Sequence, residues 1–373
     1  MNAKKLGFGA MRLPLKDAGD PTSIDLEQLS RMVDTFLARG FTYFDTAYMY
    51  HQYASETALR QALVERHPRE SFTLADKLPL SHLKERADMA RIFDEQLQKC
   101  GVTYFDYYLL HNINSTNITL IDELDAFAFV AEKKAQGQVK KIGFSYHDNA
   151  QLLDDLLQAH PETEFVQLQL NYLDWDNANI QSRLCYEVCQ KHGKPVVVME
   201  PIKGGTLAVI PADGEKRLRA YAPQASPASW AVRYAASLEG VMMVLSGMSD
   251  YAQLDDNTSY MQDFQPLNDD ERAIIHEVTD LINQSTAIGC TACQYCVEGC
   301  PQHIPIPNYF ALYNQYQQFG QQSNSLFYYS NYAGRHGKAS DCLACGQCES
   351  HCPQHLPIIE HLRQVADVFE ENK

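Results

Sequence analysis

Eight of the chain's 11 cysteines fall in two runs of one form, C-x2-C-x2-C-x3-C-P: Cys290, Cys293, Cys296 and Cys300-Pro301, then Cys342, Cys345, Cys348 and Cys352-Pro353. Three thiolates spaced by two residues wrap a tight loop around one corner of a cubane, so each run has the form that holds a [4Fe-4S] cluster. Structural zinc more often uses two separated C-x2-C knuckles, and disulfides belong to oxidising compartments. A second set of reactive types stands earlier in the chain. Asp45 closes FTYFD, Tyr50 follows five residues later, Lys77 closes FTLADK and His111 closes FDYYLLH. Singly each has a plain structural explanation: a buried ion pair for Asp45 and Lys77, a core histidine for His111, one tyrosine among 21 for Tyr50. Together at successive strand ends they make a proton-transfer site. A carboxylate orients an ammonium, the ammonium lowers the proton affinity of a phenol whose ordinary pKa is about 10, and an imidazole bonds a substrate oxygen.

The cysteine runs belong to a longer duplication, in which CTACQYCVEGCPQHIPI at 290–306 returns as CLACGQCESHCPQHLPI at 342–358. In two-cluster ferredoxins the fourth cysteine of each run ligates the other cluster. The runs here resemble that arrangement, which implies Cys290, Cys293, Cys296 and Cys352 around one cluster and Cys342, Cys345, Cys348 and Cys300 around the other. Between the copies, Phe310, Tyr313, Tyr316 and Phe319 recur every three residues and predict ordered helix. The long link resembles the α-helical ferredoxin modules of succinate dehydrogenase-type iron-sulfur subunits. Cys100, Cys185 and Cys189 read as buried helix cysteines.

The elements that must position these groups are legible as alternating periods. Short β-branched or aromatic runs predict strands near 4–8, 41–45, 72–76, 105–110, 141–144, 165–170, 195–199 and 241–245. Helical patterns lie between them at 24–39, 55–65, 82–99, 121–136, 149–159, 177–192, 226–237 and 250–260. Eight strands each followed by a helix predict a (β/α)8 barrel, whose chemistry gathers at the C-terminal ends of its strands. A doubly wound sheet is the competing fold, but no GxGxxG opens a first strand-to-helix turn. One more helix at 268–282 closes this part. The expected division is a barrel over 1–285 and a small α-helical ferredoxin-like domain over 286–373.

Composition narrows the partners. The 373 residues carry 31 Lys plus Arg against 47 Asp plus Glu, a formal net charge of −16, which repels phosphate backbones and anionic lipid surfaces. Neither nucleic acid nor membrane is expected as a partner. The N-terminal stretch is too short and interrupted for a secretory signal, so the reading is cytoplasmic, where clustered cysteines signal metal binding.

The sequence resembles the aldo-keto reductase family over roughly residues 1–285. The matching stretches are LGFGAMRL at 6–13, RGFTYFDTAYMYHQYASETALRQAL at 39–63, LADK ending at Lys77, YYLLH at 107–111, KIGFS at 141–145, QLQLNY at 167–172 and LSGMSDYAQLDDN at 245–257. With the linked cysteine domain, the whole chain resembles a prokaryotic group of that family carrying a C-terminal [4Fe-4S] ferredoxin-type region. The resemblance implies a catalytic tetrad of Asp45, Tyr50, Lys77 and His111, with Tyr50 favoured over Tyr48 as donor. It further implies nicotinamide contacts from Ser145 and Gln167, Met199 where an aromatic often stacks on the ring, adenine contacts from Asp256 and Asn257, and Ser249 and Gln253 facing the adenosine ribose or its phosphate. Gln253 replaces a frequent Arg and Tyr146 a frequent Asn, and His51, where Gly is common, is expected to narrow or polarise the pocket mouth.

The resulting expectation is a carbonyl reductase that uses NADP(H), with NAD(H) as the alternative, and carries two [4Fe-4S] clusters that pass electrons or brace the fold. Its partners would be a small carbonyl substrate and a redox protein. No flavin motif stands between a two-electron hydride donor and the one-electron clusters. The rival reading is a nucleotide-binding redox sensor with little turnover.

Overall fold

Each of the eight apolar runs becomes a strand, because residues that alternate or run apolar between helices bury both faces of a parallel sheet. The computed structural model describes residues 4–17, 20–115, 117–177, 180–284, 287–290, 296–297, 299–320, 324–352 and 356–370. Its strands are β1 (Leu6–Gly9), β2 (Tyr43–Asp45), β3 (Thr73–Pro79), β4 (Phe105–Ile113), β5 (Val139–Tyr146), β6 (Phe165–Gln169), β7 (Val196–Met199) and β8 (Val241–Ser246). They pair in parallel in chain order, and β8 closes on β1 through Leu6 opposite Val244 and Phe8 opposite Ser246. This is the expected (β/α)8 barrel. Strand β4 runs past its expected end: the register shifts between Leu110 and Ile113, and Asn112 there has φ +65°.

The helices of the barrel are α1 (Leu26–Ala38), α2 (Ser55–Leu59), α3 (Arg86–Cys100), α4 (Ile118–Glu123), α5 (Ala126–Ala135), α6 (Ala150–Ala159) and α7 (Ser182–Lys191). Those that follow are α8 (Ala212–Tyr221), α9 (Pro227–Ala236), α10 (Tyr251–Met261) and α11 (Asp269–Gln284). Helix α1 shows why they form. Asp25 caps it by accepting from Gln28 N at 3.1 Å, and Leu29, Met32, Val33 and Phe36 recur on one fully buried face. Each such side chain stabilises the fold by about 1.5–3 kcal/mol relative to exposure.

Inside the barrel the N-terminal end is filled by Tyr43, Tyr107 and Phe165, whose rings meet at centroid distances of 5.3 and 5.1 Å. Ala75, Leu109, Val197, Met243 and Leu245 complete that layer. Strand β5 can lie this close only because it presents Gly143: a Cβ there would stand 2.5 Å from the Phe165 carbonyl oxygen. Gly143→Ala should therefore cost about 1–3 kcal/mol and lower the thermal midpoint by several degrees. An unchanged melting curve would show that β5 and β6 can separate without penalty.

The chain folds into two units. One runs to Ile202 and resumes over Ser229–Asn268; the other comprises Lys203–Ala228 and the residues from Asp269 onward. The expected boundary at residues 285 and 286 lies outside the described residues. In the second unit, helices α12 (Ile306–Phe319), α13 (Ser325–Ala333), α14 (Gln347–Ser350) and α15 (Ile358–Phe369) surround an apolar core that includes Ile304, Tyr309, Phe310, Tyr329, Leu362 and Phe369. The aromatic period between the cysteine runs is thus helix α12, with Phe310 and Phe319 buried. Its Asn314 pins the preceding segment by exchanging two 2.8 Å hydrogen bonds with the backbone of Ile288. Among the described residues no helix is long and apolar enough to cross a membrane.

Candidate functional site

Strands β2, β3 and β4 bring Asp45, Lys77 and His111 to one end of the barrel, and the turn after β2 adds Tyr50. Lys77 is fully buried, which is tolerable for an ammonium only when all three of its N–H groups find oxygens. They do: Nζ donates to Asp45 Oδ1 at 2.5 Å, to the Thr46 carbonyl at 2.7 Å and to the Tyr50 hydroxyl at 3.4 Å. Burial pulls the Lys77 proton affinity down, but Asp45 and then Tyr50 outweigh it, so the side chain stays an ammonium. Burial pushes the Asp45 carboxyl up against the pull of Lys77. For Tyr50 the balance corrects the expectation. Lys77 does favour the tyrosinate, yet burial exceeds it and holds the phenol above its ordinary value, so the hydroxyl is protonated at neutral pH.

Beside it, the His111 ring meets Tyr50 edge to face, with centroids 6.0 Å apart. Burial, with smaller repulsion from Lys77, His147 and His82, holds His111 far below the usual imidazole range, so its ring is neutral. Its buried Nδ1 has no hydrogen-bond partner among the described residues. The rival tyrosine is turned away: Tyr48 donates to the Glu95 carboxylate at 3.2 Å and packs under Lys99.

A network that the sequence did not single out lies behind Lys77. Its N–H donates to Asp76 Oδ1 at 2.8 Å, and its carbonyl accepts from Gln96 Nε2 at 3.0 Å. Gln96 is itself fixed by Tyr108 at 2.6 Å and by Glu56 at 3.0 Å, and Lys99 stands 2.5 Å from the other Glu56 oxygen. Burial, then the nearby Glu56, holds the Asp76 carboxyl well above the carboxylate range. Glu56, Asp76 and Tyr108 lie within the stretches quoted above, but nothing in their spacing joins them to Gln96, since the network depends on which helix packs behind β3.

The implied nucleotide contacts divide into two groups. Ser145 and Gln167 are buried at the ends of β5 and β6; Ser145 Oγ accepts from Asn112 N at 2.7 Å, and Gln167 Nε2 donates to Met199 Sδ at 3.6 Å. Gln167 Oε1 is buried with no partner among the described residues, an orphaned acceptor that fits an amide donor such as a carboxamide. Ser249 and Gln253 are exposed before and on α10, with Ser249 N donating to Gln253 Oε1 at 2.8 Å. Asp256 is half-buried beside them. Asn257 is buried and turned inward, donating to Ser246 at 2.7 Å and accepting from Tyr260 at 2.6 Å. The ring nitrogens of His51, expected at the pocket mouth, are both engaged elsewhere. Its ring points back to the segment after β1, where Nε2 accepts from Leu13 N at 3.0 Å and Nδ1 lies 2.8 Å from the Pro21 carbonyl.

In the second unit a cavity of about 330 Å³, its open mouth included, is lined by Cys300, Cys342, Cys345 and Cys348. The wall between them is largely apolar, with Ile304, Ile306, Leu343, Ile359 and Leu362. Cys345 is exposed and Leu343 beside it is 63% exposed, so the cavity opens to solvent on that side. Four thiols around one apolar cavity are the donor set a [4Fe-4S] cluster takes. The fourth cysteine of the first run therefore sits with the first three of the second. Of the remaining set, Cys296 is buried and Cys290 and Cys352 are half-buried against the same core, while Cys293 lies outside the described residues.

Two family patterns match the chain: Aldo/keto reductase family over residues 5–280 and 4Fe-4S dicluster domain over residues 289–356. An aldo-keto reductase of Mycolicibacterium smegmatis is 31% identical over 142 residues, 38% of this chain and 45% of that protein. A Glycine max relative, "Probable aldo-keto reductase 1", is 26% identical over 54% of this chain and 56% of its own. The chain thus spans about half the length of the curated relatives it matches. Among solved structures, the holo form of an aldo-keto reductase from Bacillus halodurans superposes with a TM-score of 0.59 at 25% identity, over 74% of this chain and 91% of that one. A Klebsiella pneumoniae aldo-keto reductase in complex with NADPH has the same fold, with a TM-score of 0.59 at 20% identity over 75% and 96%.

Proposed function

Because the chain belongs to the aldo/keto reductase family, we propose that it reduces an aldehyde or ketone with NADP(H), NAD(H) being the alternative, and that its C-terminal domain, placed at 286–373, carries two [4Fe-4S] clusters. The observation that carries the reading is the buried ammonium of Lys77 shared between Asp45 and Tyr50, with neutral His111 beside Tyr50. Ser145, Gln167 and Met199 would hold a reduced nicotinamide, which would supply the hydride for the carbonyl carbon. The residues manage the charge that follows. Tyr50 delivers its proton to the substrate oxygen, Lys77 stabilises the tyrosinate left behind, Asp45 holds Lys77, and His111 bonds the oxygen and sets the substrate's pose. Ser249, Gln253 and Asp256, around the start of α10, would take the adenosine half, with Asn257 shaping that helix from within.

Cys342, Cys345, Cys348 and Cys300 would hold one cluster, and Cys290, Cys293, Cys296 and Cys352 the other. The clusters would exchange single electrons with a redox partner protein or brace the fold. Anaerobic purification should yield about eight irons per chain with matching sulfide and a broad brown absorption. Turnover of a panel of aldehydes and ketones with NADPH and NADH tests the barrel in the same preparation. Stoichiometric zinc without iron would overturn the cluster assignment. Tight nucleotide binding with no turnover on any carbonyl would favour a redox sensor.

A further inference from the structure

His51, Gln52 and Tyr53 follow Tyr50 directly, and all three have left-handed backbone, with φ of +51°, +50° and +72°. Side chains other than glycine's rarely adopt this region, so three in succession require something outside the turn to hold it. Among its holders are the His51 ring, the Ser55 hydroxyl and Tyr53, whose hydroxyl lies 3.1 Å from His82 Nε2. Ser55 bonds Thr46 at 2.9 Å and the Ala10 carbonyl at 3.2 Å, anchoring the far end of the turn. His51 anchors the near end, and its two bonds fix its proton. The Pro21 carbonyl can only accept, so Nδ1 carries the hydrogen; Leu13 N–H can only donate, so Nε2 must be bare.

The segment so gripped pairs with itself, with Leu15 bridged to Ile24 and Lys16 N donating to the Ser23 carbonyl at 2.8 Å. Just before it, the Arg12 carbonyl accepts from Ser249 Oγ at 3.1 Å. One imidazole thus joins the Tyr50 turn to a segment that touches the adenosine side of the proposed nucleotide site.

We propose that His51 is a positioning residue for Tyr50, an inference that rests on the reading of Tyr50 as proton donor: its neutral, Nδ1-protonated ring clamps the turn to that segment, and protonation releases it. A second proton on Nε2 would face the Leu13 N–H, and that bond would be lost. Burial keeps the ring below the ordinary imidazole range, with partial opposition from the Pro21 and Met11 carbonyls. The ionisable groups on the joined segments are Arg12, Lys16, Asp17, Asp20 and Asp25 on one side and Tyr48, Tyr50, Tyr53 and Glu56 on the other, with His82 bonded to Tyr53. The ring's own polar neighbours are the Leu13 N–H and the Pro21 and Met11 carbonyls, all on the segment after β1. Because the folded pKa is depressed, the clamp is present above about pH 6.5 and is lost as pH falls through the lower folded value.

The test compares the full chain with His51→Ala, His51→Gly and His51→Gln, using 4-nitrobenzaldehyde with NADPH as probe. Alanine and glycine should each lower kcat about tenfold or more, with KM for NADPH within about threefold, because displacing a reacting group by an ångström is costly while the nucleotide contacts remain. Glutamine can accept from Leu13 and donate to Pro21 without titrating. It should recover kcat to within about threefold at pH 7.5 and lose the wild type's decline below about pH 6.5. Hydrogen-deuterium exchange over 46–55, corrected for intrinsic rates, gives a readout independent of turnover: the wild type should deprotect on going from pH 7.5 to 5, and His51→Gln should not. A glycine variant that restores activity would reduce the effect to backbone strain, and an acid deprotection shared by His51→Gln would overturn the clamp. If no variant nor the wild type reduces the aldehyde, the reductase reading fails alone, and exchange still decides the role of His51.

Discussion

Tyr50→Phe should lower kcat by about 10²- to 10⁴-fold, the usual worth of a positioned general acid, while the dissociation constant for NADPH moves less than about twofold. The hydroxyl accepts from Lys77, which leaves its own hydrogen free to point at the substrate, and removing it deletes no contact proposed for the nucleotide. The phenol's raised proton affinity adds a pH signature. Reduction needs the protonated form, so the wild type should keep its rate up to at least about pH 10, the ordinary phenol value. Tyr48→Phe is the control and should change kcat little, because that hydroxyl is committed to Glu95. A Tyr50→Phe enzyme within about twofold of the parent would move proton delivery to another group.

Cys300→Ala should strip the cavity it shares with Cys342, Cys345 and Cys348 of its cluster, taking anaerobic iron from about eight to about four per chain. Cys352→Ala should remove the other four and leave that cavity loaded. The two variants should therefore lose different electron paramagnetic resonance signals on reduction, a distinction total iron cannot make. Loss of the same signal in both would mean that one cluster depends on the other. Exchange of the two signals would mean that each run keeps its own fourth cysteine, against the geometry around Cys300.

What could be read from the chain were the features that depend on local pattern. Strands β2, β6 and β7 lie within two residues of where their apolar runs predict them, and the Asp45, Lys77 and His111 positions follow from strand ends. Cys300 lines one cavity with Cys342, Cys345 and Cys348, and their joint ligation of a cluster is the proposal the iron counts test. What failed needed three-dimensional context. The proton affinity of Tyr50 depends on how much burial opposes Lys77, which no spacing reveals. His51 was expected at the pocket mouth because it follows Tyr50, but its ring bonds Leu13 and Pro21 in the segment after β1. Helix α2 stops at Leu59 and widens into a π turn over Arg60–Val64 within one uninterrupted helical pattern. Asp76, Glu56 and Gln96 look like ordinary helix and strand residues until packing buries them together.

That buried set behind β3 bears on how a charge can help a reaction. A lysine on a flexible stem in water must be turned toward a forming anion, and the surrounding dipoles must turn with it; this reorganisation is part of the barrier. Here the peptide of Lys77 is held from both sides, by Asp76 at its N–H and by Gln96 at its carbonyl, and Gln96 is wedged between Tyr108 and Glu56. The ammonium is already aimed before any substrate arrives. Its free energy of orientation was spent once, when the chain folded, so under the proposed reaction each turnover would find the electric field standing.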